Sequence, residues 1–318
     1  FAFQSKYLGM SPWECPAFFT MLSYIEHAFG IYHVRGGLNH ISAAMAKALE
    51  EEGGALRLNT AVDRLLLDGR RATGVRLEDG AEEAFDRVVI NADFGHAMNT
   101  LVPDGVLRRY SPKKLDDWKL SCSTFMLYLG VSRQYPDHPH HNVIFAENYR
   151  QNIEEITAGT LSQDPSLYVQ NASVSDPTLA PDGHCTIYVL VPCPNTRSGI
   201  DWDTEADGYA ERVLDVIEGR GGFDGLRENI VEREITTPWN WRDDYAVYEG
   251  ATFNLAHTIR QVLYFRPHNR FQEIGNCYLV GGGTHPGSGL PTIYESGRIS
   301  ANLISREFGV PVPKIPAM

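Results

Sequence analysis

The chain has 318 residues, 43% apolar and 21% charged, with 28 Lys and Arg against 40 Asp and Glu for a formal charge of −12. This composition excludes a disordered chain, and the acidic balance excludes nucleic acid as an expected partner. A folded body of this mass leaves roughly 13,000 Å² of surface exposed, and no segment approaches the ~20 apolar residues of a spanning helix.

Residues 13–30 read as an amphipathic helix, with Phe18, Met21, Leu22, Ile25 and Phe29 at helical spacing and Gly30 at its stop. A core helix is the first expectation; a helix lying on a membrane surface is the second. Leu38, Ile41, Met45, Ala48 and Leu49 mark a second helix closed by Gly53-Gly54. Strand signals follow: 55–61, 62–67, 74–78 and 85–90, with Asp68-Gly69 and Asp79-Gly80 as turns. This meander ends in Asn91-Ala92-Asp93. From 95 to 272 the pattern predicts a mixed sheet with helices, including strands at 125–131, 167–170 and 186–191 and a helix within 204–220. The chain closes on a buried strand at 276–280, a glycine-rich turn at 281–289 and a helix over 291–304 with Ile293, Gly297 and Ala301 on one face. The tail over 310–316 is expected to fray.

Cys15, Cys122, Cys185, Cys193 and Cys277 form no CxxC pair and are expected to be free thiols in a reducing compartment. His138, His140 and His141 lie in DHPHHN, but no second cluster completes a metal set, so no metal is expected. The charged trio Arg266, His268 and Arg270 reads as a structural or solvated loop. The opening FAFQSKYLGM has no initiator Met, and the expectation is a chain cut from something longer.

The strand, turn and helix over 276–304 carry the strongest chemical signal. Glycine lets backbone approach a flat or phosphorylated ligand. The following helix start offers unpaired N–H groups and a positive dipole end, which favours an anion or an electron-rich ring edge. The turn is neither a P-loop nor a dinucleotide GxGxxG, since Pro286 stands where the third glycine belongs.

The stretch YLVGGGTHPGSGLPTIYESGRISANLI (278–304) resembles the C-terminal flavin signature of bacterial-type phytoene desaturases, within the FAD-dependent amine oxidase and desaturase superfamily. RGGLNHISAAMAKALEEEGG (35–54), NTAVDRLLLDG (59–69), VVINAD (88–93), SLYVQNASVSDPTLAPDG (166–183), YVLVPCPN (188–195), IDWD (200–203) and YFRPHNR (264–270) agree with that family in order. The family's N-terminal GxGxxG unit has no counterpart here, so half a flavin site is expected.

The resemblance implies an α/β (α+β mixed) fold in which a discontinuous FAD-binding domain holds 35–94 and 273–318. Residues 95–272 form a substrate domain, with 1–34 as a helical segment on the substrate side. It implies FAD as cofactor. The Val62 backbone would face the adenine, and Ala92 and Asp93 the ribose and pyrophosphate edge. Gly282, Gly283 and Thr284 would touch the ribityl chain and flavin. Gly289, Leu290, Pro291 and Thr292 would bring the helix start to the flavin N1/O2 edge, and His285 is a further candidate. The implied activity is an FAD-dependent oxidoreductase of CH–CH bonds. It desaturates a lipid-soluble polyisoprenoid such as phytoene, in carotenoid biosynthesis, by hydride transfer to flavin N5. Phe125, Tyr128, Phe145 and Phe253 are candidates for an apolar tunnel, and no catalytic acid or base is assigned. The expected location is cytoplasmic and peripheral to a membrane, with oxygen or quinone as electron acceptor. The competing readings are an isomerase, ketolase, saturase or amine oxidase on the same scaffold, and an inactive lipid-binding fragment.

Overall fold

The computed structural model describes Ser5 and residues 8–312, so residues 313–316 of the expected frayed tail lie outside the described part. In chain order the regular elements are α1 (Met21–Phe29), α2 (Asn39–Glu51), β1 (Val62–Asp68), β2 (Arg71–Leu77), β3 (Glu82–Ala84), β4 (Val88–Ile90), α3 (Phe94–Thr100) and α4 (Pro112–Asp116). Then come β5 (Ser123–Val131), β6 (His141–Ile144), α5 (Tyr149–Ala158), β7 (Leu167–Gln170), β8 (Cys185–Cys193), α6 (Trp202–Gly219), β9 (Ile230–Thr236), α7 (Pro238–Asp243), β10 (Cys277–Leu279) and α8 (Leu290–Glu307).

Among the described residues the strands form three sheets: β1-β2-β3, the pair β10-β4, and β6-β7-β8-β5-β9. The sheet within 95–272, expected to be mixed, is antiparallel at every pairing. Its core follows the two-residue period of a strand. Phe125, Leu127, Leu129 and Val131 of β5 and Ile187, Val189 and Val191 of β8 all point to one face, against α6. Helix α6 presents Trp202, Tyr209, Ala210, Val213, Leu214 and Ile217 at helical spacing. Its start is fixed by the Asp201 carboxylate, which accepts from the Asp203 N–H.

A second core joins distant stretches. Leu65, Ala72, Ile90, Phe94 and Met98 pack with Leu255, Phe271, Ile274, Cys277 and Leu279. It holds the meander, the parallel pair and α3 together.

The expected strand over 55–61 does not form: Leu56, in irregular chain, and Leu58, in a turn, are both exposed. Two apolar residues in alternation are too few to pair without a neighbouring edge. Helix α1 is likewise not a core helix, since none of its residues is buried, and α2 buries none either. The accessible surface is 17,497 Å², about a third above the scaling for a compact body of this mass.

Candidate flavin-facing site

β4 and β10 are parallel, pairing Cys277 with Val88, Tyr278 with Val89 and Leu279 with Ile90. Both strands therefore deliver their following loops to the same edge. In open α/β sheets this crevice beyond the carboxyl ends is where ligands bind. One loop is Asn91-Ala92-Asp93; the other is the glycine turn 281–289. They meet where a Cβ on Gly281 (φ +98°) would stand 3.3 Å from Asn91 Oδ1.

Asp93 closes its loop from beneath. Its Oδ1 accepts the backbone N–H groups of His96, capping α3, and of Tyr248. Its Oδ2 accepts from Asn254 Nδ2. Burial pushes the Asp93 carboxyl up from its ordinary range, and the N–H donors of His96 and Tyr248 oppose that shift.

The glycine turn is held by buried polar groups. The Gly281 N–H donates to Ser296 Oγ at 2.8 Å, and Ser300 Oγ donates to the Leu279 carbonyl at 2.9 Å. The buried residues of α8 are thus Ser296 and Ser300, while Ile293 and Gly297 are half-buried and Ala301 is exposed. Asn269 Nδ2 donates to the carbonyls of Leu279, His285 and Ser296. Thr284 Oγ1 donates to the Pro267 carbonyl at 2.6 Å. His257 Nε2 accepts the Ser288 N–H at 3.2 Å. Burial, with Arg266 beside it, depresses this imidazole to about 3, so it is neutral at physiological pH.

Of the ten residues expected to face the cofactor, nine separate into two groups and Val62 stands apart. Asp93, Gly283 and Thr284 lie inward and are engaged by the protein itself. A Cβ on Gly283 would meet Phe94 Cβ at 2.3 Å, so this glycine serves close packing. Ala92, Gly289, Leu290 and Pro291 are exposed at the crevice, with Gly282 and Thr292 half-buried beside them. Val62 is exposed at the start of β1, in a different sheet.

The start of α8 has no side-chain cap, and Thr292 Oγ1 turns back to the carbonyls of Ser288 and Gly289. The mouth therefore presents backbone and a positive dipole end, chemistry that suits the electron-rich edge of a flavin. These residues fit one side of such a cofactor.

Sequence reasoning missed Asn91, Asn254, His257 and Asn269. Each is a single polar residue in a loop whose role comes from chain brought in from far away. The charged loop of Arg266, His268 and Arg270, expected to be structural or solvated, divides. Arg266 is fully buried and Asn269 nearly so, while Arg270 is exposed and pairs with Glu307.

Of the tunnel candidates, Phe125 is core, its ring centroid 5.5 Å from Trp202 and 5.1 Å from Tyr209. Tyr128 points to the opposite face, 5.5 Å from Tyr188, and Tyr168 extends the row at 6.2 Å from Tyr188. His138 and His140 bond to the Gly222 carbonyl and Ser175 Oγ. Among the described residues no group of three or more His, Cys, Asp or Glu is placed to hold a metal ion.

Residues 2–305 match the family model for flavin containing amine oxidoreductases. The chain is 57% identical over 311 residues to a 4,4'-diapophytoene desaturase (4,4'-diapolycopene-forming) of Methylomonas sp, covering 98% of this chain and 61% of that protein. It is 41% identical over 320 residues to an all-trans-zeta-carotene desaturase of Myxococcus xanthus, covering 99% and 60%. The chain thus spans about three-fifths of the length of the curated relatives it matches. Among solved structures, an oxidoreductase from Methanosarcina mazei superposes with TM-score 0.64 at 16% identity, over 96% of this chain and 63% of that one. Cyclohexylamine oxidase from Brevibacterium oxydans gives TM-score 0.51 at 14% identity, over 95% and 62%. These two share the fold. By its sequence match, the chain belongs to the flavin containing amine oxidoreductase family.

Proposed function

We propose that this chain supplies one side of the FAD site, together with the substrate sheet, of an enzyme that desaturates a polyisoprenoid hydrocarbon in carotenoid biosynthesis. The observation that carries the reading is the crevice beyond β4 and β10, with exposed Ala92 and Gly289 and the uncapped start of α8 at its mouth. The names of the Methylomonas and Myxococcus relatives supply the substrate class. In this reading 35–94 and 273–318 are pieces of the FAD domain and 95–272 is the substrate domain, with 1–34 on the substrate side.

FAD bound there would supply the acceptor for a hydride leaving an allylic carbon, and loss of the adjacent carbon's proton to solvent would need no assigned base. The chain's own task is placement. The first-turn N–H groups of α8 stand where the electron-rich ring edge would lie. A hydrocarbon offers no polar handle, so its binding rests on buried apolar area at about 25 cal/mol per Å². The sheet face opposite α6, with Tyr128, Tyr168 and Tyr188 in a row, offers such area. The excess surface of the chain supports a site completed by further polypeptide.

No helix of the described residues is long and apolar enough to cross a membrane. Helix α1 and its flanks expose Phe18, Met21, Tyr24, Ile25, Phe29 and Tyr32. This supports peripheral contact with the lipid that holds the substrate. Vesicle flotation of the chain and of a Met21→Glu/Phe29→Glu variant tests that contact; equal flotation contradicts it.

The activity test is 4,4'-diapophytoene or phytoene in liposomes with FAD, using the chain completed by the segment its relatives carry beyond the matched span. Conjugated products absorbing in the visible are expected, under air or with an added quinone. Turnover of an amine with no change in the polyene overturns the reading.

A further inference from the structure

Beneath the glycine turn lies a fully buried cation. Arg266 is 0% exposed. Its Nε donates to the Thr284 carbonyl at 3.2 Å and its Nη2 to the Gly282 carbonyl at 2.6 Å. Its Nη1 donates to the carbonyls of Leu255 and Gln261, at 3.1 and 3.2 Å. Among the described residues no carboxylate lies within ion-pair distance of it. Its one titratable neighbour with a shifted pKa is His257, which is neutral. Gly287 packs at the same spot, where a Cβ would approach His257 Nε2 to 2.8 Å and Arg266 Nε to 3.9 Å.

A buried charge without a counter-charge is costly unless its donors are satisfied and something gains from its field. The carbonyls satisfy the donors but carry no net charge. Burial lowers the guanidinium to about 9 and leaves it charged at neutral pH. Two of the four carbonyls belong to residues of the turn that faces the crevice. Arg266 therefore does two things to that turn. It pulls the Gly282 and Thr284 carbonyls inward, away from the mouth, and it places a positive charge behind the backbone that remains there.

We propose that Arg266 is a positioning residue of the flavin-facing turn, fixing its carbonyls inward and lending it an uncompensated positive charge that favours the reduced, anionic form of the cofactor. The inference rests on the flavin reading of the turn. A neutral apolar ligand would gain nothing from such a charge, whereas the negative charge a flavin acquires on reduction would.

The test compares the chain with Arg266→Lys and Arg266→Gln. Hydrogen exchange at 281–289 reads positioning without any ligand, and amides of β5 and β8, in the other core, report whether the variants are folded. Exchange in the turn is expected to rise about tenfold in Arg266→Gln, with β5 and β8 unchanged, and to be largely restored in Arg266→Lys. Unchanged turn exchange in Arg266→Gln overturns the positioning role. The second reading is the ratio of affinities for reduced and oxidised FAD, titrated anaerobically. That ratio is expected to fall at least threefold in Arg266→Gln and to hold in Arg266→Lys, a difference that a merely structural role would not produce. An equal fall in both variants overturns the charge assignment. No binding of FAD in either state by the unsubstituted chain overturns the flavin reading itself, while the exchange data still decide the positioning role.

Discussion

The Asp93 carboxylate accepts a hydrogen bond from the Asn254 side-chain amide across 161 residues of chain. Through it the end of β4 is tied to the loop that underlies the glycine turn. Asp93→Ala removes the cap of α3 and leaves the Tyr248 N–H and the Asn254 amide without that acceptor. A loss of about 2 kcal/mol is expected from the cap and the unmade bonds together. Denaturant unfolding of the two proteins measures it, and a loss below about 0.5 kcal/mol would show the carboxylate to be dispensable.

Gly283 and Gly297 separate close packing from open space. A Cβ at Gly283 meets Phe94 and Asn254, whereas one at Gly297 meets nothing within 4 Å. Gly283→Ala is expected to destabilise by roughly 1–3 kcal/mol. Gly297→Ala lies within α8 and is expected to stabilise by about 0.5–1 kcal/mol. Thermal unfolding of both variants checks the pair of opposite signs.

Phe125 and Tyr128 sit on opposite faces of β5. Phe125→Ala opens a cavity against Trp202 and Tyr209, and a cost of about 3–5 kcal/mol is expected. Tyr128→Ala, on the half-buried outer face, is expected to cost less than half of that while weakening hydrocarbon binding. Equal costs would place Tyr128 in the core as well.

Asp176 joins the entry to α2 to the far side of the five-stranded sheet. Its Oδ2 accepts the Gly36 N–H at 2.6 Å and contacts His33 Nε2 at 3.0 Å, and its Oδ1 accepts from Thr178 Oγ1. The Thr178 hydroxyl, the Gly36 N–H and His33 hold this carboxyl far below the usual carboxylate range. A depressed folded-state pKa adds stability that is fully present above the ordinary aspartate pKa near 4 and is lost as pH falls below it. Asp176→Asn is therefore expected to flatten acid unfolding below about pH 4 and to raise proteolysis at 31–37 at neutral pH. Identical acid unfolding of the two proteins would remove this carboxylate from the account.

Much of the fold is legible in the sequence because its elements carry their own periodicity. β7 spans the expected 167–170 and α6 covers the expected 204–220 but for its last residue; of the expected meander only 62–67 and 74–78 pair as β1 and β2, since β3 (Glu82–Ala84) is the third strand and 88–90 pairs in parallel with β10 instead. The misses have particular causes. β9 reads IVEREIT, with Glu232 and Glu234 on one face and Arg233, opposite Leu129 and paired with Asp207 and Glu211 of α6, on the other, and gives too weak an alternation to stand out. α1 has the pattern of a core helix, but none of its residues is buried and only Leu22, Ser23 and Glu26 are half-buried. At the site, the glycine turn and the helix after it are contiguous in sequence and were visible as such. The clamp of Arg266, Asn269 and His257 beneath the turn was not, because its bonds run to backbone carbonyls and amides of other loops. Carbonyl partners leave no trace in residue type.

The central claim is that the ends of β4 and β10 and the start of α8 form one side of an FAD site. Hydrogen exchange of this chain during an FAD titration tests it most directly. The account predicts weak saturable binding, with Kd above about 10 μM, and protection confined to 88–93 and 279–292. Protection elsewhere, or none at about millimolar FAD, would contradict the placement of the site, and tight stoichiometric binding would contradict its being one-sided.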